Sequence, residues 1–124
     1  MRYLLLIAIA IAIALFLYVP SKSQPQIPAA FHGVWDENDT ACKEKYSTMR
    51  LQIGTSGVKY WESSAKLINI VKSEDTSFAA LYGFSGEGEN WESTIAYALS
   101  DEGNLLVQYS DDGFSVDRVR CIDI

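Results

Sequence analysis

Beyond residue 30, apolar and polar residues alternate along the chain with a period of two. Met49, Leu51 and Ile53, for example, are separated by Arg50 and Gln52. Strict alternation of this kind is typical of β-strands that bury one face and expose the other. The pattern therefore predicts a mainly β domain in this part of the chain.

Later runs repeat the alternation, and each predicts which side chains share the buried face of a strand. These predicted sets are Phe78, Ala80, Tyr82 and Phe84; Trp91, Ile95, Tyr97 and Leu99; Leu105, Val107 and Tyr109; and Phe114 with Val116.

Turn residues separate the runs, because the intervals between them contain glycine together with Ser, Asn or Asp. The predicted strands are 31–36, 48–54, 58–63, 66–73, 77–85, 90–100, 104–110 and 114–122. One helical turn is predicted within 40–46. Eight antiparallel strands in about 95 residues close naturally into a small up-and-down β-barrel, so the predicted fold class is all-β.

The N-terminus has a different pattern, in which Arg2 is followed by an uncharged and mostly apolar run from Tyr3 to Val19. The run lacks the polar stripe of a helix on a soluble domain. Its helical length of about 25 Å lies between a signal-peptide core and a full bilayer span. We therefore predict a targeting helix over residues 1–19, either a cleaved signal peptide or an uncleaved signal anchor, with the remainder exported.

The segment 20–28 contains three prolines, which oppose helix formation and predict an extended linker. A single folded domain is then expected over residues 29–124. That domain holds sixteen acidic residues against eight basic ones, so its net charge is near −8. This charge repels phosphate backbones and anionic lipid, which argues against nucleic acid as a partner. We expect a monomer.

Cys42 and Cys121 are the only cysteines, and they lie just after the first predicted strand and in the last one. First and last strands are neighbours in a closed meander, so a disulfide would join the two sides of the closure seam. Export to an oxidising compartment permits this bond. Two free thiols or a metal pair are the alternatives, although two thiols without histidines make a poor zinc site.

A Gly-x-Trp tripeptide, Gly33–Trp35, opens the first predicted strand, and Arg118 and Arg120 lie in the last. This pairing resembles the calycin superfamily, which includes the lipocalins, where an arginine of the final strand packs over the tryptophan. A guanidinium stacks well on an indole. The sequence does not distinguish which arginine covers Trp35.

The wider layout resembles a family of small exported bacterial proteins of unassigned function, and the resemblance implies fold and location but no activity. The segments that carry it are Ile27–Trp35, Cys42, Tyr60–Ser63, Gly86–Trp91 and Arg120–Cys121.

The segment Ser56–Tyr60 reads Ser-Gly-Val-Lys-Tyr and is similar to the Ser-Gly-x-x-Tyr loop of periplasmic inhibitors of C-type lysozyme. Those inhibitors are also small disulfide-closed barrels, and an acidic domain suits a basic enzyme. Their second aromatic-Lys-Gly segment is not found downstream. A lysozyme-inhibitor-like protein is therefore one alternative.

No catalytic constellation emerges from the sequence. His32 is the only histidine, so any Ser–His pair or histidine-based metal site would depend on it alone. We therefore expect no enzyme activity, no catalytic residue, no metal and no cofactor.

Two turns combine aromatic and acidic residues and are the candidate binding loops. Consecutive Tyr60 and Trp61 must point to opposite faces of a strand, which places one of them outside or at the barrel rim. The candidate residues are Ser56, Tyr60, Trp61, Glu62, Glu87, Glu89 and Trp91.

Location and fold together predict a non-enzymatic binding module in the periplasm, free or tethered to the inner membrane. Binding of an envelope protein through the loops predicts a packed barrel interior. Carriage of a small apolar ligand instead predicts a cavity lined by Tyr82, Trp91, Tyr97 and Tyr109. We favour protein binding, because so small a barrel leaves little space once its core is packed.

Overall fold

A computed structural model describes residues 24–122, so the predicted targeting helix over residues 1–19 lies outside the described part of the chain. Within residues 24–122, no helix combines the length and apolar character needed to cross a lipid bilayer.

Eight antiparallel strands form a closed barrel in which each strand pairs with its sequence neighbours, and the last strand pairs with the first. The strands are β1 Gly33–Asp36, β2 Leu51–Ile53, β3 Gly57–Lys59, β4 Ser64–Ser73, β5 Ser77–Gly86, β6 Glu89–Ser100, β7 Leu105–Ser110 and β8 Ser115–Arg120. The prediction of an all-β antiparallel barrel is confirmed. The closed part does not include the whole of the long strands: residues 68–73 of β4 and 89–94 of β6 pair with β5 only.

One short α-helix, α1 Asp39–Cys42, follows β1 and overlaps the predicted helical turn. The Asn38 side chain caps it by accepting a hydrogen bond from the Ala41 amide at 2.8 Å, as is typical of an N-cap. Single 3₁₀ turns at Ala29–Phe31 and Asp101–Gly103 were not predicted.

Large side chains fill the barrel interior. Trp35, Phe78, Tyr82 and Tyr97 are each at most 2% exposed, and the alternation predicted for β5 matches its buried face. Ile27 is also buried and donates its amide to the Thr55 carbonyl. Ile27, which lies in the predicted linker over 20–28, therefore packs with the barrel core.

The predicted buried face of β7 is wrong, because the inward residues are Leu106 and Gln108. Apolar residues occupy both faces of this strand, so alternation alone did not determine the register. Leu106 pairs with Arg118 of β8, which also points inward and requires a polar partner on β7. The residues that face outward instead are Leu105, Val107 and Tyr109.

Trp91 and Phe114 are also more exposed than predicted. Trp91 shares a face with buried Tyr97, but it lies beyond the closed part of the barrel and is 42% exposed. Phe114 belongs to the turn before β8 and is 64% exposed. Of the four residues predicted to line a ligand cavity, only Tyr82 and Tyr97 lie in the interior.

A disulfide joins Cys42 at the end of α1 to Cys121 just after β8, with 5.4 Å between the Cα atoms, as predicted. Beside it, Trp35 of β1 pairs with Arg120 of β8. The bond therefore lies at the closure seam, and it is consistent with an oxidising location outside the cytoplasm.

Candidate functional site

Arg120, and not Arg118, covers Trp35. The Arg120 guanidinium carbon lies 4.2 Å from the centre of the Trp35 rings. Its nitrogens donate to the carbonyls of His32 at 2.8 Å, Ala30 at 2.9 Å and Gly103 at 3.1 Å. Arg120 thus ties the N-terminal segment and the β6–β7 connection across one end of the barrel, which is a structural role.

Arg118 lies inside the barrel and is 5% exposed. It donates to the Met49 carbonyl at 2.7 Å and to Oε1 of Gln108 at 2.8 Å. Among residues 24–122, no carboxylate lies within ion-pair distance of its guanidinium. Burial lowers the pKa of Arg118, because removal from water disfavours the charged form. The interior therefore contains a positive charge whose direct hydrogen-bond partners are the neutral oxygens of Met49 and Gln108.

Three tyrosines lie close to this arginine. The Tyr60 and Tyr97 hydroxyls share a hydrogen bond of 2.6 Å, and the Tyr60 ring centre is 6.0 Å from the Arg118 guanidinium carbon. The Tyr82 hydroxyl is buried and has no hydrogen-bond partner among residues 24–122. Burial raises the pKa of all three phenols. The interior is thus rich in hydrogen-bond donors and poor in charged acceptors.

Two of the predicted binding loops meet at one rim of the barrel. Gly86 comes so close to the β3–β4 loop that a Cβ there would lie 2.8 Å from the Glu62 carbonyl oxygen, so only glycine fits. The β3–β4 loop and the β5–β6 hairpin together line a cleft of about 220 Å³. We call this cleft the acidic rim cleft, and its lining residues are Glu62, Ser63, Gly86, Glu87, Glu89 and Trp91.

The aromatic wall of the acidic rim cleft is held in place by stacking. The Trp91 ring lies 5.4 Å from the Phe84 ring at an interplanar angle of 9°. Phe84 is buried, and so it anchors the half-exposed tryptophan. The turn between the strands passes through Glu87 and Gly88, both with positive φ. Glu87 and Glu89, on either side of Gly88, line the cleft together with Trp91.

A second cleft, of about 270 Å³, lies on the outer wall between the α1–β2 loop and the β3–β4 loop. Its rim carries Tyr46 and Trp61, whose rings meet edge-to-face at 5.9 Å. We call it the basic cleft, and its lining residues are Lys45, Tyr46, Ser47, Arg50, Gln52, Lys59, Tyr60 and Trp61.

An ion pair with buried Asp36 holds Arg50 in the lining of the basic cleft. Asp36 is fully buried, and its Oδ2 lies 3.0 Å from Nε of Arg50. Ser47 donates to the other carboxylate oxygen at 2.7 Å, and Arg50 also donates to the Ala41 and Glu44 carbonyls. This network holds the α1–β2 loop against the outside of β1.

The predicted candidate residues do not form one site. Tyr60 is inside the barrel and Trp61 outside it, as their consecutive positions require. Ser56 lies in the turn at the opposite end of β3 from Trp61, so it belongs to neither cleft. The acidic rim cleft therefore unites Glu62 with Glu87, Glu89 and Trp91.

Sequence reasoning missed Lys45, Tyr46 and the pair of Asp36 with Arg50. The α1–β2 loop that holds them has no periodic pattern, and its folded path depends on contacts between residues eleven to fourteen positions apart. The sequence carries no signal for this pair, since a residue directly after a buried one on a strand is expected to face solvent.

No group of three or more potential metal-ligating side chains comes together within residues 24–122. His32 bonds through Nε2 to the Ile27 carbonyl at 2.7 Å.

Comparison of the chain with protein-family models, curated proteins and solved structures finds no match, so no relative supplies a family or an activity.

Proposed function

We propose that this protein is a non-enzymatic binding module of the cell envelope that docks a basic protein surface at the acidic rim cleft. The observation that carries the proposal is the meeting of two separate loops around three carboxylates and one exposed tryptophan.

The charge of the cleft favours a cationic partner. Its lining contains Glu62, Glu87 and Glu89 and no basic residue. Complementary charge increases association rates and discriminates between partners, and lysine or arginine side chains of a partner would supply it.

The half-exposed Trp91 supplies the apolar part of the proposed contact. Binding energy at protein interfaces is concentrated in a few aromatic or arginine anchors, and a rigid anchor loses little conformational freedom on binding. Stacking on Phe84 holds the Trp91 ring in one orientation before a partner arrives.

The packed interior supports surface docking over internal carriage. Phe31, Trp35, Tyr82 and Leu106 are fully buried within one continuous core. A lipocalin-like carrier would need its core side chains to move apart before a ligand could enter. We propose that the calycin resemblance concerns the fold and the Trp35–Arg120 contact only.

A pull-down from envelope extract with the full chain tests the proposal. Simultaneous Glu→Gln changes at Glu62, Glu87 and Glu89 are expected to abolish capture of a basic partner, and Trp91→Ala is expected to weaken it at least tenfold. The matched control neutralises three acidic residues away from the cleft: Glu37, Asp75 and Glu102. Equal loss of capture in the control would indicate that only the total charge matters and would refute the rim as the docking site.

The lysozyme-inhibitor alternative makes a different prediction. It requires the Ser56–Tyr60 segment, in which Ser56 is exposed, and the acidic charge of the domain supports it. Addition of the full chain would then inhibit a C-type lysozyme, and Ser56→Ala would relieve inhibition while the rim variant would not. Our proposal expects no such sensitivity to Ser56.

We also propose that the domain lies in the periplasm, either tethered by the helix predicted for residues 1–19 or released by cleavage. The Cys42–Cys121 disulfide supports an oxidising compartment. Fractionation of cells that express the full chain, followed by mass measurement of its N-terminus, distinguishes the two forms.

A further inference from the structure

The basic cleft on the outer wall of β2 and β3 is not used by the proposed docking site. Its lining contains three basic residues and no acidic one, although the chain as a whole has a net charge of −6. Positive charge is thus concentrated in one cleft of an acidic protein.

Arg50 does not explain this concentration of positive charge, since its own charge is balanced by the buried Asp36 carboxylate at 3.0 Å. Lys45 and Lys59, the two lysines of the cleft, are not balanced in this way. In the described part of the chain, neither the Lys45 nor the Lys59 ammonium is within 4.0 Å of a carboxylate. They are therefore the charges that an incoming anion would meet.

The cleft also has an aromatic rim. Tyr46 is 65% exposed and Trp61 is 47% exposed, and the two rings contact each other across the mouth of the cleft. The Lys45 ammonium lies 5.4 Å from the centre of the Tyr46 ring. Cation and ring faces are thus presented side by side, which suits a ligand with a charged end and a flat apolar end.

The wall behind the cleft is positive as well. Tyr60 lines the cleft and also contacts Arg118 in the interior. Arg118 is 5% exposed and has no carboxylate partner in the range 24–122, while the nearby Tyr82 hydroxyl is buried without an acceptor. The buried Asp36 carboxylate acts on Arg118 electrostatically, but it is already paired with Arg50. The two guanidinium groups together therefore carry more positive charge than this one carboxylate balances. A negative charge in the cleft would partly compensate this excess of positive charge.

We infer that the basic cleft binds a small organic anion that carries a carboxylate on an aromatic or flat apolar group. The carboxylate would contact Lys45 and Lys59, and the apolar group would lie against Tyr46 and Trp61. The volume of about 270 Å³ matches a small molecule and lies at the lower end of typical ligand pockets. This inference does not depend on the acidic rim cleft being a docking site.

The test uses ¹⁹F NMR titration of the full chain, in non-ionic detergent, with 4-fluorophenylacetate. The neutral 4-fluorophenylacetamide has the same shape without the charge. We expect the carboxylate to bind about tenfold more tightly than the amide, and its affinity to fall with added salt because the lysines are exposed. Equal affinity for the two probes, or no binding of the carboxylate at millimolar concentrations, would overturn the inference.

Two pairs of variants locate the site. Lys45→Gln with Lys59→Gln is expected to weaken carboxylate binding about tenfold, which corresponds to two partly exposed charge contacts. The control makes the same change at Lys66 and Lys72, which are exposed on β4 and lie outside the cleft. An equal loss in both pairs would mean that the probe responds to overall charge, and the site would be rejected.

Trp61→Ala separates this site from the proposed docking function. It is expected to weaken binding of both the carboxylate and the amide probe, while neutralisation of Glu62, Glu87 and Glu89 is expected to leave both affinities within about twofold. If the rim variant abolished probe binding, the anion site would be misplaced even if the docking proposal held.

Discussion

Replacement of Arg120 by methionine is expected to lower the free energy of unfolding by about 3 kcal/mol. Methionine keeps much of the apolar stem and removes the charge and all five donors. The change therefore isolates the guanidinium that closes the end of the barrel over Trp35.

The magnitude follows from the contacts of this one group. A cation over an indole at 4.2 Å contributes roughly 1 kcal/mol when it is partly desolvated. The bonds to the half-buried His32 and Gly103 carbonyls contribute about 1 kcal/mol each, because their acceptors would lose a charged donor. The bond to Ala30 is exposed, and water would replace it at little cost.

Urea unfolding of the full chain in non-ionic detergent, followed by tryptophan fluorescence, measures the effect. With a slope of about 1 kcal/mol per molar urea for a domain of this size, the midpoint should fall by about 3 M without a change of slope. Arg120→Lys keeps the charge but loses the fork of donors, so we expect about half of the loss.

The matched control is Lys72→Met, which removes the cation of an exposed ion pair. The Lys72 side chain is 70% exposed and that of its partner Glu74 is 57% exposed. Its midpoint is expected to stay at the wild-type value, because exposed pairs are screened by water. If Arg120→Met left the midpoint unchanged, or Lys72→Met lowered it as much, the assignment of Arg120 as the closing contact would be wrong.

Two further predictions concern the seam and the interior. Replacement of Cys42 and Cys121 by serine opens a loop with a sequence separation of 79 residues, which should lower the unfolding free energy by about 4 kcal/mol on chain entropy; an unchanged urea midpoint would contradict this. Burial raises the pKa of Tyr60, Tyr82 and Tyr97 above the ordinary value of 10.0. Their neutral forms therefore stabilise the fold below about pH 10, and this stabilisation is lost as the pH rises further. Absorbance at 295 nm should show these phenols ionising together with the loss of near-ultraviolet circular dichroism, and ionisation in a still-folded domain would disprove it.

Local chemistry in the sequence was sufficient to predict the strands and their closure. Period-two alternation and turn residues each act over a few positions, so eight strands, the antiparallel order and the Cys42–Cys121 bond could all be predicted. The inward face of β5 followed for the same reason, because its three aromatic side chains, Phe78, Tyr82 and Phe84, all lie on one face. The meeting of Glu62 with the β5–β6 turn was not predicted, since it depends on how far two loops project beyond the sheet.

Tertiary structure determined the features that depend on a choice between similar residues. Arg118 and Arg120 have the same side chain and share a strand face, and only the barrel's shape directs one to Gln108 and the other to Trp35. The same holds for β7, where the more apolar face of Leu105, Val107 and Tyr109 turns outward and the inward face supplies Gln108 as an acceptor for buried Arg118. The basic cleft also arises only in three dimensions, because the α1–β2 loop folds back onto β1 through the buried Asp36 carboxylate. Polar contacts over long sequence separations leave no periodic trace, which is why the fold could be predicted from the chain and the clefts could not.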